Sequence, residues 1–177
     1  MSGRAGHPPG IIGYSPFFGK GKMMKIVTLD SLDAQSRVFL ADMLDDPVLR
    51  ASLFGGSGHI SAWHAERIWS HAVDDETRWL VRCVESQRIV GGIGVVREEV
   101  RLFVRSDLQG QGYGRASLAA LLQLRQTLGV WPNLSAWTVR ENRAARLAFE
   151  AAHWRELGLR RQGGGLPTLV HYCSSLV

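Results

Sequence analysis

The sequence predicts an α/β fold: one mixed, mostly antiparallel sheet flanked by helices, in the order β-α-α-β-β-β-α-β-α-β-β. Three observations predict it. Strand-like runs at 78–84, 88–96 and 99–104 are joined by turns too short for a crossover helix, so they pair antiparallel. Two helical patterns precede this block and two follow it. The chain has 177 residues, 45% apolar and 21% charged, which suits one domain with a real core and not comfortably two.

The first strand is MKIVTL, Met24–Leu29. Residues 1–23 are rich in glycine and proline, contain no acid, and lack the apolar centre of a secretory signal because Pro16 and the glycines interrupt it. They read as a flexible leader, a cloning remnant or an over-extended start, leaving 24–177 as the domain. Asp30 or Ser31 caps a helix with apolar positions at Leu32, Val38, Phe39 and Leu44, which Pro47 ends or closely follows. Phe54–Gly58 is a loop, and Ser61 caps a second helix, AWHAERIWSHAV, before the acidic turn Asp74–Glu76.

The period then changes. In the third strand of the block, Val100, Leu102 and Val104 share one face and Arg101 and Phe103 the other. A helix follows from about Gly114 to Leu128, closed by Gly129, Pro132 and Asn133. Leu134–Val139 is a strand and Asn142–Trp154 a helix. RELGLRR and PTLVHY end the chain as a hairpin. No internal repeat or linker interrupts it.

Composition excludes several classes. No apolar run reaches the roughly 20 residues of a membrane-spanning helix. Cys83 and Cys173 lie in apolar runs and read as reduced thiols of a cytoplasmic protein, with a disulfide or reactive pair as the alternative. No Cys/His spacing points to a metal. Residues 24–76 hold four bases and nine acids, whereas 77–177 hold fourteen bases and seven acids. A basic second half suits an anionic ligand. No lysine/arginine run with interleaved aromatics points to nucleic acid.

The segment LFVRSDLQGQGYGRASLAALLQLR carries the most chemistry. A strand that ends in glycines and opens a helix makes an anion site, because the first helical N–H groups lack internal partners and the helix dipole is positive there. Glycine lets backbone approach a phosphate, and Arg115 adds a full charge in the first turn. Gly114 is followed by Arg115-Ala116, so this is not a P-loop. Glycines at 110, 112 and 114 after antiparallel strands do not make a dinucleotide fingerprint either. The pattern Q/R-x-x-G-x-G/A is met by Gln109, Gly112 and Gly114. A ligand-free glycine connector is the bland alternative.

On these residues the chain resembles the GNAT superfamily of acyl-CoA-dependent N-acyltransferases. LFVRSDLQGQGYGRASLAALL is similar to its central signature, and NRAARLAFEAAHW to its second, in which an Asn opens a helix. The resemblance implies that acetyl-CoA is the co-substrate and that the backbone of Leu102, Phe103 and Val104 pairs with its pantetheine arm. It implies that the N–H groups of Gln109, Gly110, Gln111, Gly112, Tyr113 and Gly114, with Arg115, hold the pyrophosphate. Asn142 matches the family's Asn, which contacts the pantetheine or a nearby water; a plain N-cap is its structural role.

The sequence departs from the family's acid/base pattern. Where many relatives carry a Tyr seven residues after the Asn, this chain has Phe149, and where ribosomal-protein acetyltransferases carry a Glu base it has Trp137. His153-Trp154 replaces the closing Gly-Phe. The resemblance points to other candidate proton carriers: Glu99, which opens the central strand roughly where histone-type members carry their base, and Tyr172 or His171 on the last strand, which borders the acceptor site in the family. Solvated surface or core packing is the alternative role for each. The resemblance also places the first two helices against the acceptor, where Asp42, Asp45, Asp46, Asp74, Asp75 and Glu76 would favour a cationic small-molecule or peptide amine. The expected activity is acetyl transfer to such an amine; a GNAT-fold module that binds acyl-CoA without catalysis is the alternative. Homodimers are common in the family, and nothing in the sequence shows one.

Overall fold

Alternating apolar runs rich in valine, isoleucine and leucine build a sheet that is covered on one face by two helices. The structure, a computed structural model, describes residues 11–13, 25–31, 46, 47, 49, 76–161 and 167–175. Its strands are β1 (Ile11–Gly13), β2 (Val27–Ser31), β3 (Glu76–Cys83), β4 (Ile89–Val96), β5 (Glu99–Val104), β6 (Asn133–Val139), β7 (Arg155–Arg160) and β8 (Leu169–Ser175). Helix α1 (Tyr113–Leu128) joins β5 to β6, and α2 (Arg143–Ala151) joins β6 to β7. The spatial order is β1-β2-β3-β4-β5-β6-β8-β7. Every neighbouring pair is antiparallel except β5 and β6. The sheet is thus mixed and mostly antiparallel, as the short turns require.

Three features add to or depart from the sequence reading. Ile11–Gly13, within the stretch read as a leader, pairs antiparallel with Val27–Leu29 and forms the sheet edge. Pro47, expected to end the first helix or to follow it closely, is itself helical. It begins a helical turn, with the Asp46 side chain accepting from Leu49 N–H (3.4 Å), and proline is well placed at a first helical position because its missing N–H has no partner to lose there. The final helix stops at Ala151, ahead of His153, which takes a positive φ of 61°. The two helices expected between β2 and β3 otherwise lie outside the described residues.

Period-2 alternation sorts the two faces. Trp79, Val81, Ile93, Val95, Val100, Leu134, Ala136, Val170 and Tyr172 face α1 and α2 and form one core with Ala116, Leu118, Leu121, Leu124 and Phe149. Gly129, at φ 64°, closes α1 by donating its N–H to Arg125 O (2.9 Å). The Arg125 side chain crosses to Ser174 O (2.7 Å) and ties that helix end to β8.

Glycine is required in β4 where β5 comes closest. A Cβ on Gly91 would collide with the Phe103 carbonyl oxygen and lie 3.1 Å from Phe103 C and Val104 Cα, all backbone that cannot rotate away. Gly91→Ala is therefore expected to push β5 off β4, costing about 3 kcal/mol by overpacking. A thermal melt should show a midpoint roughly 6–12 °C lower for a domain of this size; an unchanged midpoint would contradict the close approach.

Candidate functional site

The site begins with how β5 meets β6. Parallel pairing at Glu99–Ser135 is closed by a bond from Ser135 N–H to Glu98 O (2.8 Å), and no further pair follows. Both strands continue, β5 to Val104 and β6 to Val139. A ladder that stops while its strands run on leaves a wedge between them. Backbone groups along its sides need partners.

Register shows which groups those are. Arg105 N–H donates to Val90 O (2.9 Å) in β4, while Glu98 O receives from β6. Alternate residues of a strand point opposite ways. Val100, Leu102 and Val104 therefore address the wedge. Phe103 directs its backbone to β4 and buries its ring on the sheet face away from α1. Of the three residues expected to line the pantetheine arm, Leu102 and Val104 offer backbone groups to the gap. The Val104 carbonyl already accepts from Gln109 Nε2 (3.2 Å), leaving its N–H. Gln109 is thus a strut for the strand end, a role the sequence did not suggest.

At the wide end of the wedge stands the glycine loop. A single 3₁₀ turn, Ser106–Leu108, is braced by the paired bonds of Arg105 to Asp107 (both 2.9 Å) and by Gln111 Nε2 to Asp107 O (3.1 Å). Gly110 and Gly112 then take φ of 73° and 94°, conformations that favour glycine. Gly112 is the N-cap of α1, with no side-chain cap and no acid in the first turn. The first intrahelical bond is Ala116 N–H to Gly112 O (3.1 Å), so the N–H groups of Tyr113, Gly114 and Arg115 precede the helix's own bonding. Arg115 Nε is buried without a hydrogen-bond partner. Backbone N–H groups, the helix dipole and one guanidinium together could cradle an anion.

The side chains of the loop have separate duties. A Cβ on Gly114 would lie 3.4 Å from Ala148 Cβ and 3.9 Å from Leu102 and Val104 side-chain atoms, so its small size seats α2 and β5 against α1. Tyr113 turns inward. Its hydroxyl lies 3.7 Å from Cys83 Sγ, and burial, then that hydrogen bond, pushes its pKa up to about 12. Only the backbone of Tyr113 is left for a ligand. Burial opposes ionisation of Cys83, but hydrogen bonds from Ser86 and Tyr113 outweigh it and lower its pKa.

Asn142 caps α2: its Oδ1 accepts from Ala145 N–H at 3.0 Å. Phe149, seven residues on, stacks on Tyr172 (4.9 Å, 18°) and tilts against Trp154 (5.2 Å). Tyr172 is 0% exposed and lies on the α2 face. Its hydroxyl ends among Arg146, Glu150 and Glu156 at 3.4–3.5 Å, not at the wedge. Burial raises its pKa, against the opposing pull of Arg146. The proposed proton donor is thus a core residue with a tethered tip.

The opposite face holds the other candidates. Glu99 sits where the wedge closes, 3.9 Å from Arg101 and about half exposed. His171 and Trp137, direct partners across β6 and β8, stack at 4.1 Å with planes 3° apart. Sequence reading singled out each residue but not the pair; strand register makes it. Asp46 accepts from Ser106 Oγ, beside the glycine loop. Asp42, Asp45, Asp74 and Asp75 lie outside the described residues, as does the side chain of Glu76. Among the described residues, no cluster of His, Cys, Asp and Glu could hold a metal, and no helix is long and apolar enough to cross a membrane.

Comparison with known proteins agrees with this geometry. The profile of the acetyltransferase (GNAT) family matches residues 44–154. No curated protein sequence matches. Among solved structures, similarity extends to a domain from Methanocaldococcus jannaschii (TM-score 0.70, 16% identity, 86% of this chain and 99% of that one). It extends to a spermidine N-acetyltransferase from Vibrio cholerae in complex with CoA and spermine (TM-score 0.69, 15% identity, 84% and 95%). A ribosomal L7/L12 α-N-protein acetyltransferase in complex with coenzyme A is also similar (TM-score 0.71, 17% identity, 85% and 94%).

The cap geometry gives a direct test. Asn142→Ala should cost about 1 kcal/mol of stability, read by chemical denaturation; no loss would mean that the Ala145 N–H is satisfied another way.

Proposed function

The chain belongs to the acetyltransferase (GNAT) family, and from that premise we propose that it transfers an acetyl group from acetyl-CoA to an amine acceptor. The carrying observation is the wedge: β5 and β6 part after Glu99–Ser135, with the uncapped start of α1 at the open end. An extended arm with amides suits the edges of the wedge, and a pyrophosphate suits the cradle at its mouth. The residues fit both. Leu102 offers N–H and C=O to the gap and Val104 its N–H, Gly110 has nothing within 4 Å of a notional Cβ, and Arg115 Nε lacks a partner. Asn142, at the start of α2, is kept in the proposal as a neighbour of the arm.

When bound, acetyl-CoA supplies a thioester with a good leaving group. The chain then has to orient a neutral amine, receive its proton and stabilise charge on the carbonyl oxygen. The inward N–H of Leu102, the nearer of the two to Glu99, is the donor for that oxygen, and that of Val104 pairs with the arm. Glu99, where the wedge closes, takes the proton as the C–N bond forms. The C–S bond breaks, and the departing thiolate ends as the thiol. Phe149 has no proton to give, and Tyr172 is engaged with α2, so the thiolate is protonated from solvent. Proximity alone contributes several kcal/mol in such transfers. The acceptor is a small cationic amine or a peptide amine; the solved relatives include a spermidine acetyltransferase and one for a protein α-amine.

Two measurements test this. Gly110→Asp places a carboxylate at the cradle, whereas Gly110→Asn adds the same bulk without charge; aspartate and asparagine both tolerate positive φ. Calorimetry should show coenzyme A affinity at least tenfold weaker in the Asp variant than in the Asn variant, consistent with a like-charge contact of about 1.4 kcal/mol. Equal affinities would remove the cradle from the account. In a thiol-release assay with a panel of amines, Glu99→Gln should lower kcat about a hundredfold, the smaller end of general-base effects, while Tyr172→Phe leaves it near the parent value. The reverse ranking would exchange their roles.

A further inference from the structure

The stacked pair on the sheet face opposite α1 says what kind of acceptor this chain prefers. Trp137 lies on β6, two residues beyond the point where β6 meets β5, and His171 lies directly across on β8. Neighbouring strands are about 4.8 Å apart. Rings that are parallel within 3° and 4.1 Å apart on such strands are stacked along the line between the strands. One face of the indole is therefore covered by His171. The other looks along the same line toward β5, across the wedge. Among the described residues no ring or cation rests on that second face.

The opposing wall is Glu99 and Arg101, on the same face of β5 by alternation. They sit 3.9 Å apart, one acid and one base, both about half exposed. Their charges offset, so this wall does not by itself select the sign of a ligand. The indole does. Its face is the negative end of a quadrupole and attracts ammonium groups.

The attacking amine must be neutral, so a charge held on the indole has to be a second one. We infer that Trp137 is a specificity-determining residue whose wedge-side indole face holds the non-reacting ammonium of a diamine-like acceptor, with His171 as the positioning residue that keeps the ring upright. This rests on the acetyl-transfer reading above for the identity of the site. It names the acceptor class: a primary amine with a second positive charge a few bonds away.

The test compares 1,4-diaminobutane with 4-amino-1-butanol, which differ in the charge of the distal group. Each is titrated calorimetrically into the protein loaded with coenzyme A, where no turnover occurs. The parent should bind the diamine about fivefold or more tighter, the range of a partly exposed cation–π contact. Trp137→Leu should abolish that preference with coenzyme A affinity unchanged, and Trp137→Phe, which keeps a π face, should retain part of it. Equal binding of the two amines by the parent, or a preference that survives in both variants, overturns the inference. Diamine selectivity that follows Trp137 in a protein with no affinity for coenzyme A would sustain the inference and refute the acyl-carrier reading instead.

Discussion

Everything in the site depends on a ladder that stops. Parallel strands normally exchange bonds along their length because unpaired backbone groups away from water are costly. Here β5 and β6 exchange bonds only around Glu98, Glu99 and Ser135 and then diverge. The separation is held from outside. β4 grips β5 closely enough to exclude a side chain at Gly91, and β8 pairs with β6 along all of Asn133–Val139. Two well-paired flanks let the middle stay open, and the opening is where a ligand with amides can complete the sheet.

The same economy governs the loop at the wedge's mouth. Its rigidity comes from bonds that avoid the helix start: Arg105 with Asp107, Gln109 with Val104 and Gln111 with Asp107. None of these spends the first N–H groups of α1. Gly112 caps the helix by conformation, at φ 94°, where a serine or aspartate would have used its side chain and occupied the site. An uncapped helix start is a small cost in stability that leaves its first N–H groups without a side-chain partner.

The two faces of the sheet divide the remaining work. On the α1/α2 face the positions are filled by packing. Phe149, Tyr172 and Trp154 form one aromatic cluster there, so Phe149 is held by packing. A hydroxyl at that position would enter a contact already made by Tyr172. On the other face Glu99, Arg101, Trp137 and His171 remain partly exposed, and the chemistry that the core does not absorb gathers there.

Much of this was legible in the sequence, because it depends on local rules. Turn lengths decided that β3, β4 and β5 are antiparallel, alternation separated Val100, Leu102 and Val104 from Arg101 and Phe103, and the glycine spacing marked the start of a helix. Asn142 announced a cap and is one. Other features required the tertiary structure, because they depend on which strands lie side by side. Sequence offered Tyr172 and His171 as equals; pairing with Ala136 sends the first under α2, and pairing with Trp137 sets the second against the indole that borders the wedge. The three-residue edge strand was hidden for the same reason, since a run as short as Ile11–Gly13 has no periodicity of its own and is a strand only because Val27–Leu29 offers it an edge. Local conformation follows from neighbours in the chain, whereas the face a residue shares follows from neighbours in space.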